Sequence, residues 1–292
     1  MFFVFSGSVD FLSWHFETDE LVEEDPESLK EVYSDRLTLG MCLNPNTISP
    51  RYKKYVTANF SNVTCENEMK ADSVINKALC QQKAAENQAY VAVDFSACKD
   101  IIKYCIDNDL KMRYHTLVCQ NQTPDWFFYE DYDTNKSLVD EKTMKQRMEN
   151  YINQVISYFD TNYPGLIYAI DVVNEAFNGE GPYKVKETDN KWYEVQITEL
   201  DIGIPKVKTG ATPSKEQYIK QGEYVKTLME KIMELKAEGC NISAITLWGI
   251  NDANSWRSNV DGYNAYGLLW MGDMSPKPAL RGFALCEDVL LN

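Results

Sequence analysis

Six short apolar runs, at 37–43, 61–65, 111–119, 166–173, 195–200 and 243–250, are separated by longer amphipathic stretches along most of the chain. Strand-length runs joined by helix-length connections cannot close as hairpins. They call for crossover connections, and so the pattern predicts an α/β fold with a parallel sheet. Helical periodicity is clearest at 94–108, 141–160 and 214–238, where Tyr218, Gly222, Val225, Leu228, Met229, Ile232 and Leu235 share one face. Gly239 after the last helix, and Pro164-Gly165 after 141–160, supply the stops. Residues 1–27 precede the pattern, are irregular, and turn acidic from Glu17 to Glu27. They read as a lead-in segment, with 28–292 as one domain. No internal repeat, low-complexity tract or long linker interrupts it.

The chain's 292 residues are enough for a full hydrophobic core. A formal net charge of −15 argues against nucleic acid or an anionic membrane as a partner. The 6 Trp and 18 Tyr would suit the flat C–H faces of sugars, though such rings serve equally as core. With only His15 and His115, and eight cysteines in no C-x-x-C or zinc-like spacing, no metal site is expected. Cys42, Cys65 and Cys119 fall in apolar runs and read as small core residues. Cys98 and Cys105, seven apart, would share a helix face. Mostly free thiols are expected, which fits a cytoplasmic or anaerobic setting. No apolar run of transmembrane length exists, and MFFVF lacks the basic flank and cleavage site of a secretion signal. G-x-S-x-G, G-x-G-x-x-G and P-loop motifs are also missing.

In parallel α/β folds, chemistry gathers at the carboxyl ends of the strands. The polar residues ending the apolar runs are Glu66-Asn67 with Lys70, His115, Asn174-Glu175, Glu199 with Asp201, and Trp248 with Asn251-Asp252. Glu175 and Glu199 each close an otherwise apolar strand. Glycosidic cleavage needs such a pair, one carboxyl protonated and one ionised, about 5–5.5 Å apart when configuration is retained. The plainer alternative is that each Glu is a helix N-terminal residue stabilised by the dipole.

The strand ends carry more than a pattern. DVVNEAF at 171–177 resembles the acid/base motif of the family-10 xylanases, and ITELDI at 197–202 resembles their nucleophile motif. FSNVTCENEMK at 60–70, RYHTLV with QTPDWFF within 113–128, LWGINDANSWR at 247–257, and LLW with SPKPAL within 268–280 follow the same family in the same order. The resemblance runs from about residue 28 to the C-terminus. It implies a (β/α)₈ TIM barrel and retaining endo-hydrolysis of the internal β-1,4-xylosidic bonds of xylan, without a cofactor. Glu175 would be the acid/base and Glu199 the nucleophile. Asn174 would bond the sugar 2-hydroxyl. Glu66, Asn67 and Lys70 would line the non-reducing-end subsites, His115 would bind sugar beside the cleavage point, and Trp248 and Trp256 would close over the substrate. Trp126 reads as structural. Xylan and xylo-oligosaccharides are the implied partners, and the family implies secretion. The alternative is a degraded member that binds β-glycan without cleaving it.

Two departures stand out. The family usually continues HTLV with Trp-His, where this chain has Cys119-Gln120. Loss of that indole would weaken sugar binding by roughly 3–5 kcal/mol, or less at an open site. The second departure is one of length. Glu175 and Glu199 are 24 positions apart, yet they close what the resemblance makes strands 4 and 7. Three βα units would need roughly 90 residues. Strands 5 and 6 therefore have no counterpart, and the join falls near Lys191-Trp192-Tyr193-Glu194-Val195. The family's strand-6 histidine, which would partner the nucleophile and Asp201, has no counterpart either. An incomplete barrel of about six βα units is expected, with edges at strands 4 and 7 that must pair directly, be covered or recruit another chain, and with weak or absent turnover.

Overall fold

The computed structural model describes residues 2–8, 28–34, 36–119, 121–174, 195–205, 207–260, 262–287 and 289. The elements in chain order are β1 (Phe2–Ser8), α1 (Leu29–Val32), β2 (Thr38–Leu43), α2 (Pro50–Asn59), β3 (Asn62–Cys65), α3 (Ala71–Val74), α4 (Lys77–Ala84), α5 (Lys99–Asp107), β4 (Lys111–Tyr114), β5 (Val118–Cys119), α6 (Glu141–Asn162), β6 (Ile167–Ile170), β7 (Val173–Asn174), β8 (Val195–Gly203), α7 (Lys215–Ala237), β9 (Ile242–Leu247) and α8 (Pro278–Phe283). All six apolar runs hold strands, and the three expected helices are present. The one expected at 94–108 becomes α-helical only at Lys99, after a 3-10 turn over Ser96–Cys98. Two compact units divide the chain, one comprising Met1–Leu43, Ser49–Asn62 and Thr188–Asn292, the other Asn44–Ile48 and Val63–Glu187.

In the first unit the strand order is β1-β8-β9-β2. Every pairing is parallel, with Thr38 opposite Ala244, Val195 opposite Ile242 and Phe2 opposite Gln196 at the starts of the three ladders. Residues 2–8 are thus a strand and not irregular lead-in. The FFVF run has β-forming side-chain types, and an open edge of β8 would otherwise leave a row of unpaired backbone groups. Ile197, Thr198, Leu200, Asp201 and Ile202 of β8 are all buried, as suits a parallel strand covered on both faces. The β8 ladders each slip by one residue at the same place. Ile197 faces Phe3 while Glu199 faces Val4, and Ile197 faces Ile245 while Leu200 faces Leu247. An extra residue on β8 beside Glu199 is a β-bulge, a device that re-aims a side chain. Helix α7 starts at a capping box, with Ser214 accepting from Gln217 N–H at 3.3 Å and Gln217 Oε1 accepting from Ser214 N–H at 2.8 Å. It meets α8 glycine to glycine. A side chain at Gly222 would reach the Pro278 carbonyl oxygen at 2.6 Å.

In the second unit the order is β3-β4-β6, with a two-stranded ribbon β5-β7. Met112 pairs with Ile167, Tyr114 with Ile170, and Cys119 with Asn174. Helix α6 is capped by Asp140, which accepts from Thr143 N–H at 2.7 Å. It buries Arg147, Tyr151, Val155 and Phe159, four apart along one stripe. Arg147 donates to the Phe127 and Tyr129 carbonyls at 2.6 and 2.9 Å, tying down the loop that carries Trp126. Trp126 packs edge-on against Phe127 and Tyr132, as its structural reading requires. Among the described residues β6 has β4 as its sole sheet neighbour. Beside it Ile156, Tyr168, Val172 and Val173 are exposed. A cavity of about 270 Å³ opens there between α6 and β6.

Six of the seven sheet positions match the expected barrel strands, namely β2, β3, β4–β5, β6–β7, β8 and β9. β7 ends at Asn174 and β8 begins at Val195, an interval shorter than one βα unit of roughly 30 residues. Among the described residues no strand lies between β7 and β8, and the interval is too short for strands 5 and 6 of a complete barrel with their helices. Cys80, Cys98, Cys105, Cys240 and Cys286 are thiols. Burial pushes Cys98 and Cys105 up to about 12. Among the described residues no helix is long and apolar enough to cross a membrane.

Candidate active site

In the second unit, Glu66, Asn67 and Lys70 follow β3 directly. Glu66 Oε2 accepts from Asn44 Nδ2 at 2.7 Å. Lys70 is buried and donates to Asn67 Oδ1 at 3.1 Å and Gln122 Oε1 at 2.5 Å. Gln122 Nε2 donates back to Asn67 Oδ1 at 3.1 Å, closing a triangle. Asn67 and Lys70 are therefore joined through Gln122, while Glu66 is held separately by Asn44. Burial pushes the neighbouring Glu68 carboxyl up, against the backbone N–H groups that it accepts from. Cys119, which stands where an indole was expected, is buried, and its backbone N–H bonds Thr123 Oγ1 at 3.2 Å. Gln120 lies outside the described residues.

His115 follows β4 and is fully buried. Its Nδ1 lies 2.9 Å from Asp171 Oδ2. With Asp171 ionised, Nδ1 carries the proton and donates. Arg113 grips the same carboxylate in bidentate fashion, Nε to Oδ2 at 2.9 Å and Nη2 to Oδ1. The Asp171 backbone is held as well, its carbonyl accepting from Thr116 Oγ1 at 2.7 Å and Leu117 N–H at 3.0 Å. Burial alone would push the Asp171 carboxyl up, but the bonds from His115 and Arg113 and the Arg113 charge together hold it below its ordinary value. Asn174, three residues on, ends β7 half-buried. Glu175, the expected acid/base, lies outside the described residues.

In the first unit Glu199 lies on the carboxyl half of β8, at the bulge, and is partly buried. Two positions on, Asp201 is buried and accepts from Trp256 Nε1 at 3.0 Å and Arg257 Nη1 at 2.9 Å. Asp201 was expected to lose its partner with the missing strand 6. It is instead paired from the loop after β9. Burial pushes its carboxyl up, and Arg257 and Trp256 oppose that rise without cancelling it. Trp256 keeps its ring half exposed while its N–H is anchored. Trp248, just after β9, is buried, and its backbone N–H bonds the Leu200 carbonyl at 3.0 Å. Nearby, Asp252 accepts from the buried Lys277 at 2.9 Å and from Leu268 N–H at 3.1 Å. Burial pushes the Asp252 carboxyl up and the Lys277 ammonium down, the two partners each opposing the other's shift.

In the second unit Glu66 and the amide-rich turn of Asn67, Lys70 and Gln122 offer polar groups suited to neutral hydroxylated ligands, and in the first unit the strand-end carboxylates stand with the anchored indole of Trp256. The sequence model of glycosyl hydrolase family 10 matches residues 28–193 and 182–285. The chain belongs to glycosyl hydrolase family 10. Its family-10 relatives include endo-1,4-β-xylanase B of Butyrivibrio fibrisolvens, 25% identical over 336 residues covering 86% of this chain and 52% of the relative. The bifunctional endo-1,4-β-xylanase XylA of Ruminococcus flavefaciens is 30% identical over 334 residues, covering 87% and 33%. The chain thus spans about half the length of the first of these relatives and a third of the second. Since 86% of 292 residues is about 251, the Butyrivibrio alignment leaves about 85 of its 336 positions without a residue of this chain. Among solved structures, the CBM22-1–GH10 modules of Clostridium thermocellum endo-1,4-β-D-xylanase 10B, complexed with xylohexaose, align with a TM-score of 0.73 at 22% identity, covering 91% of this chain and 68% of that one. The endo-1,4-β-xylanase of Caldicellulosiruptor owensensis aligns at 0.70 and 20% identity, covering 88% and 99%. The fold is that of the family-10 (β/α)₈ barrel, here incomplete.

Proposed function

We propose that this chain is a retaining endo-β-1,4-xylanase, with residues 28–292 as its catalytic region. The observation that carries the reading is the placement of Glu199. It sits in ITELDI at a bulge, near the carboxyl end of a parallel strand, in a family-10 chain. The Glu199 carboxylate attacks the anomeric carbon, and the bond to the leaving oxygen breaks as Glu175 gives that oxygen its proton. Glu175 then takes a proton from water. The resulting hydroxide displaces Glu199 and restores the β configuration. Asn174 bonds the 2-hydroxyl, and His115, held in one tautomer by Asp171, binds sugar next to the cleavage point. Trp248 and Trp256 close over the chain, with Glu66, Asn67 and Lys70 further along it. Polymeric xylan does not cross membranes, so the proposed place of action is outside the cell.

The test uses an aryl xylobioside with an acidic phenol. Glu175→Ala should retain the first step on this substrate and recover turnover with azide, whereas Glu199→Ala should lose all activity. Equal loss in both, without azide rescue, overturns the assignment. Early proton NMR of xylo-oligosaccharide hydrolysis should show new β ends first. One observation favours a second reading, in which the chain binds β-glycan without cleaving it. The shortfall between β7 and β8 removes two units from the barrel, so turnover well below that of complete barrels is expected. Retention on a xylan affinity gel with no release of reducing sugar would select that reading.

A further inference from the structure

We infer that the strand at residues 2–8 is the positioning element of the nucleophile strand, standing in the sheet where a sixth barrel strand would otherwise lie. This rests on the reading of Glu199 as nucleophile. β8 and β9 carry the motifs of barrel strands 7 and 8, and β9 lies on one side of β8. The other side belongs to the absent strand, and β1 occupies it in the same parallel sense. The register shows what β1 holds. Upstream of the bulge both neighbours pair with β8. Downstream of it, β9 contributes a single register pair, Leu200 with Leu247. β1 contributes five in succession, Val4 with Glu199 through Ser8 with Gly203. A bulge interrupts a ladder and lets the strand bend, so the segment just beyond it depends on whichever neighbour resumes pairing. For Glu199 and Asp201 that neighbour is β1. Asp201 is itself fixed by Trp256 and Arg257. Away from β1 the alternate residues are tied by backbone, the Leu200 carbonyl accepting from Trp248 N–H at 3.0 Å and Ile202 N–H donating to the Gly267 carbonyl at 3.0 Å, so β1 is the backbone partner of Glu199 and Asp201 in particular. A misplacement of about 1 Å at a reacting group costs on the order of 100-fold in rate, so an unsupported end of β8 would show first in the chemical step.

The full chain, Val4→Pro, Val4→Ile and a form lacking residues 1–8 are compared by hydrogen exchange and by hydrolysis of an aryl xylobioside. Proline removes the backbone donor at the position opposite Glu199, and isoleucine keeps the strand. In Val4→Pro, amides at 199–203 should exchange at least about tenfold faster while those of β2 are unchanged. kcat should fall about 10- to 100-fold with KM within about twofold, and Val4→Ile should match the parent in both. The shortened form should repeat the Val4→Pro result. Unchanged exchange at 199–203 in both disrupted forms overturns the inference. So does faster exchange spread evenly over β8, β9 and β2 with kcat per folded molecule unaltered, the mark of a strand that merely stabilises. If no form has activity, the parent included, and exchange at 199–203 still depends on β1, the strand assignment stands and the xylanase reading fails.

Discussion

Replacing Asp171 by Asn takes one charge from a fully buried cluster and leaves its two cationic or donating partners, Arg113 and His115, in place. The carboxylate accepts from Arg113 through both oxygens and from His115 through Oδ2. A carboxamide offers one acceptor and turns an N–H toward the other donor. Removing one member of a buried pair costs about 3–5 kcal/mol, and the surviving acceptor argues for the lower end, about 3 kcal/mol. That is a large part of the 5–15 kcal/mol typical of a folded protein. The pH dependence has a definite sign. The native carboxyl is held below its ordinary value, so its contribution is fully present above the unfolded pKa of about 3.9 and fades as the pH falls through the depressed native value. Urea unfolding followed by far-UV circular dichroism should show the full gap between wild type and Asp171→Asn at pH 7. The gap should narrow steadily below about pH 4. A gap under about 1 kcal/mol at pH 7, or one that widens on acidification, would refute the argument.

Arg257→Leu should destabilise by about 2 kcal/mol at pH 7, less than a fully buried pair because the guanidinium is partly exposed. Without Arg257 the already raised Asp201 carboxyl rises further, so the loss should shrink as the pH falls through that raised value. Urea curves at several pH values would read this. Gly222→Val has no room against Pro278, and should cost roughly 3 kcal/mol or prevent soluble expression, as measured by urea midpoint and yield. Toward a thiol-specific chromogenic disulfide, Cys240, which is exposed, should react in the native protein, while Cys98 and Cys105 react only after unfolding. Native reaction of Cys98 or Cys105 would contradict their burial.

The strands and long helices were legible because their signals are local. The apolar run and its polar end lie within ten residues, and Gly239 or Pro164-Gly165 marks a helix boundary in place. What escaped depends on partners far apart in sequence. Arg113 meets Asp171 across 58 positions and Arg257 meets Asp201 across 56. Periodicity does not pair them. A usable signal was present in Arg113, a charged residue inside an apolar run, because a buried cation requires a counter-charge. β1 was missed for the same reason. A short apolar segment becomes a strand only when β8, nearly two hundred residues on, offers an edge. The deficit of two βα units could be counted from motif spacing alone, but not how the freed edge of β8 would be covered.

Trp256 has its indole N–H committed to Asp201 and its ring half in water. Such an indole is a natural optical gauge, because its emission depends both on the charge of the group it bonds and on the water at its face. Protonation of Asp201 removes the charge beside the indole nitrogen, while anything that settles on the ring displaces water from the opposite side. The two events alter the emission by separate routes, one following pH and the other ligand concentration. A fluorescence titration on this one side chain can therefore follow the ionisation of a buried acid and the occupancy of the surface above it in the same cuvette.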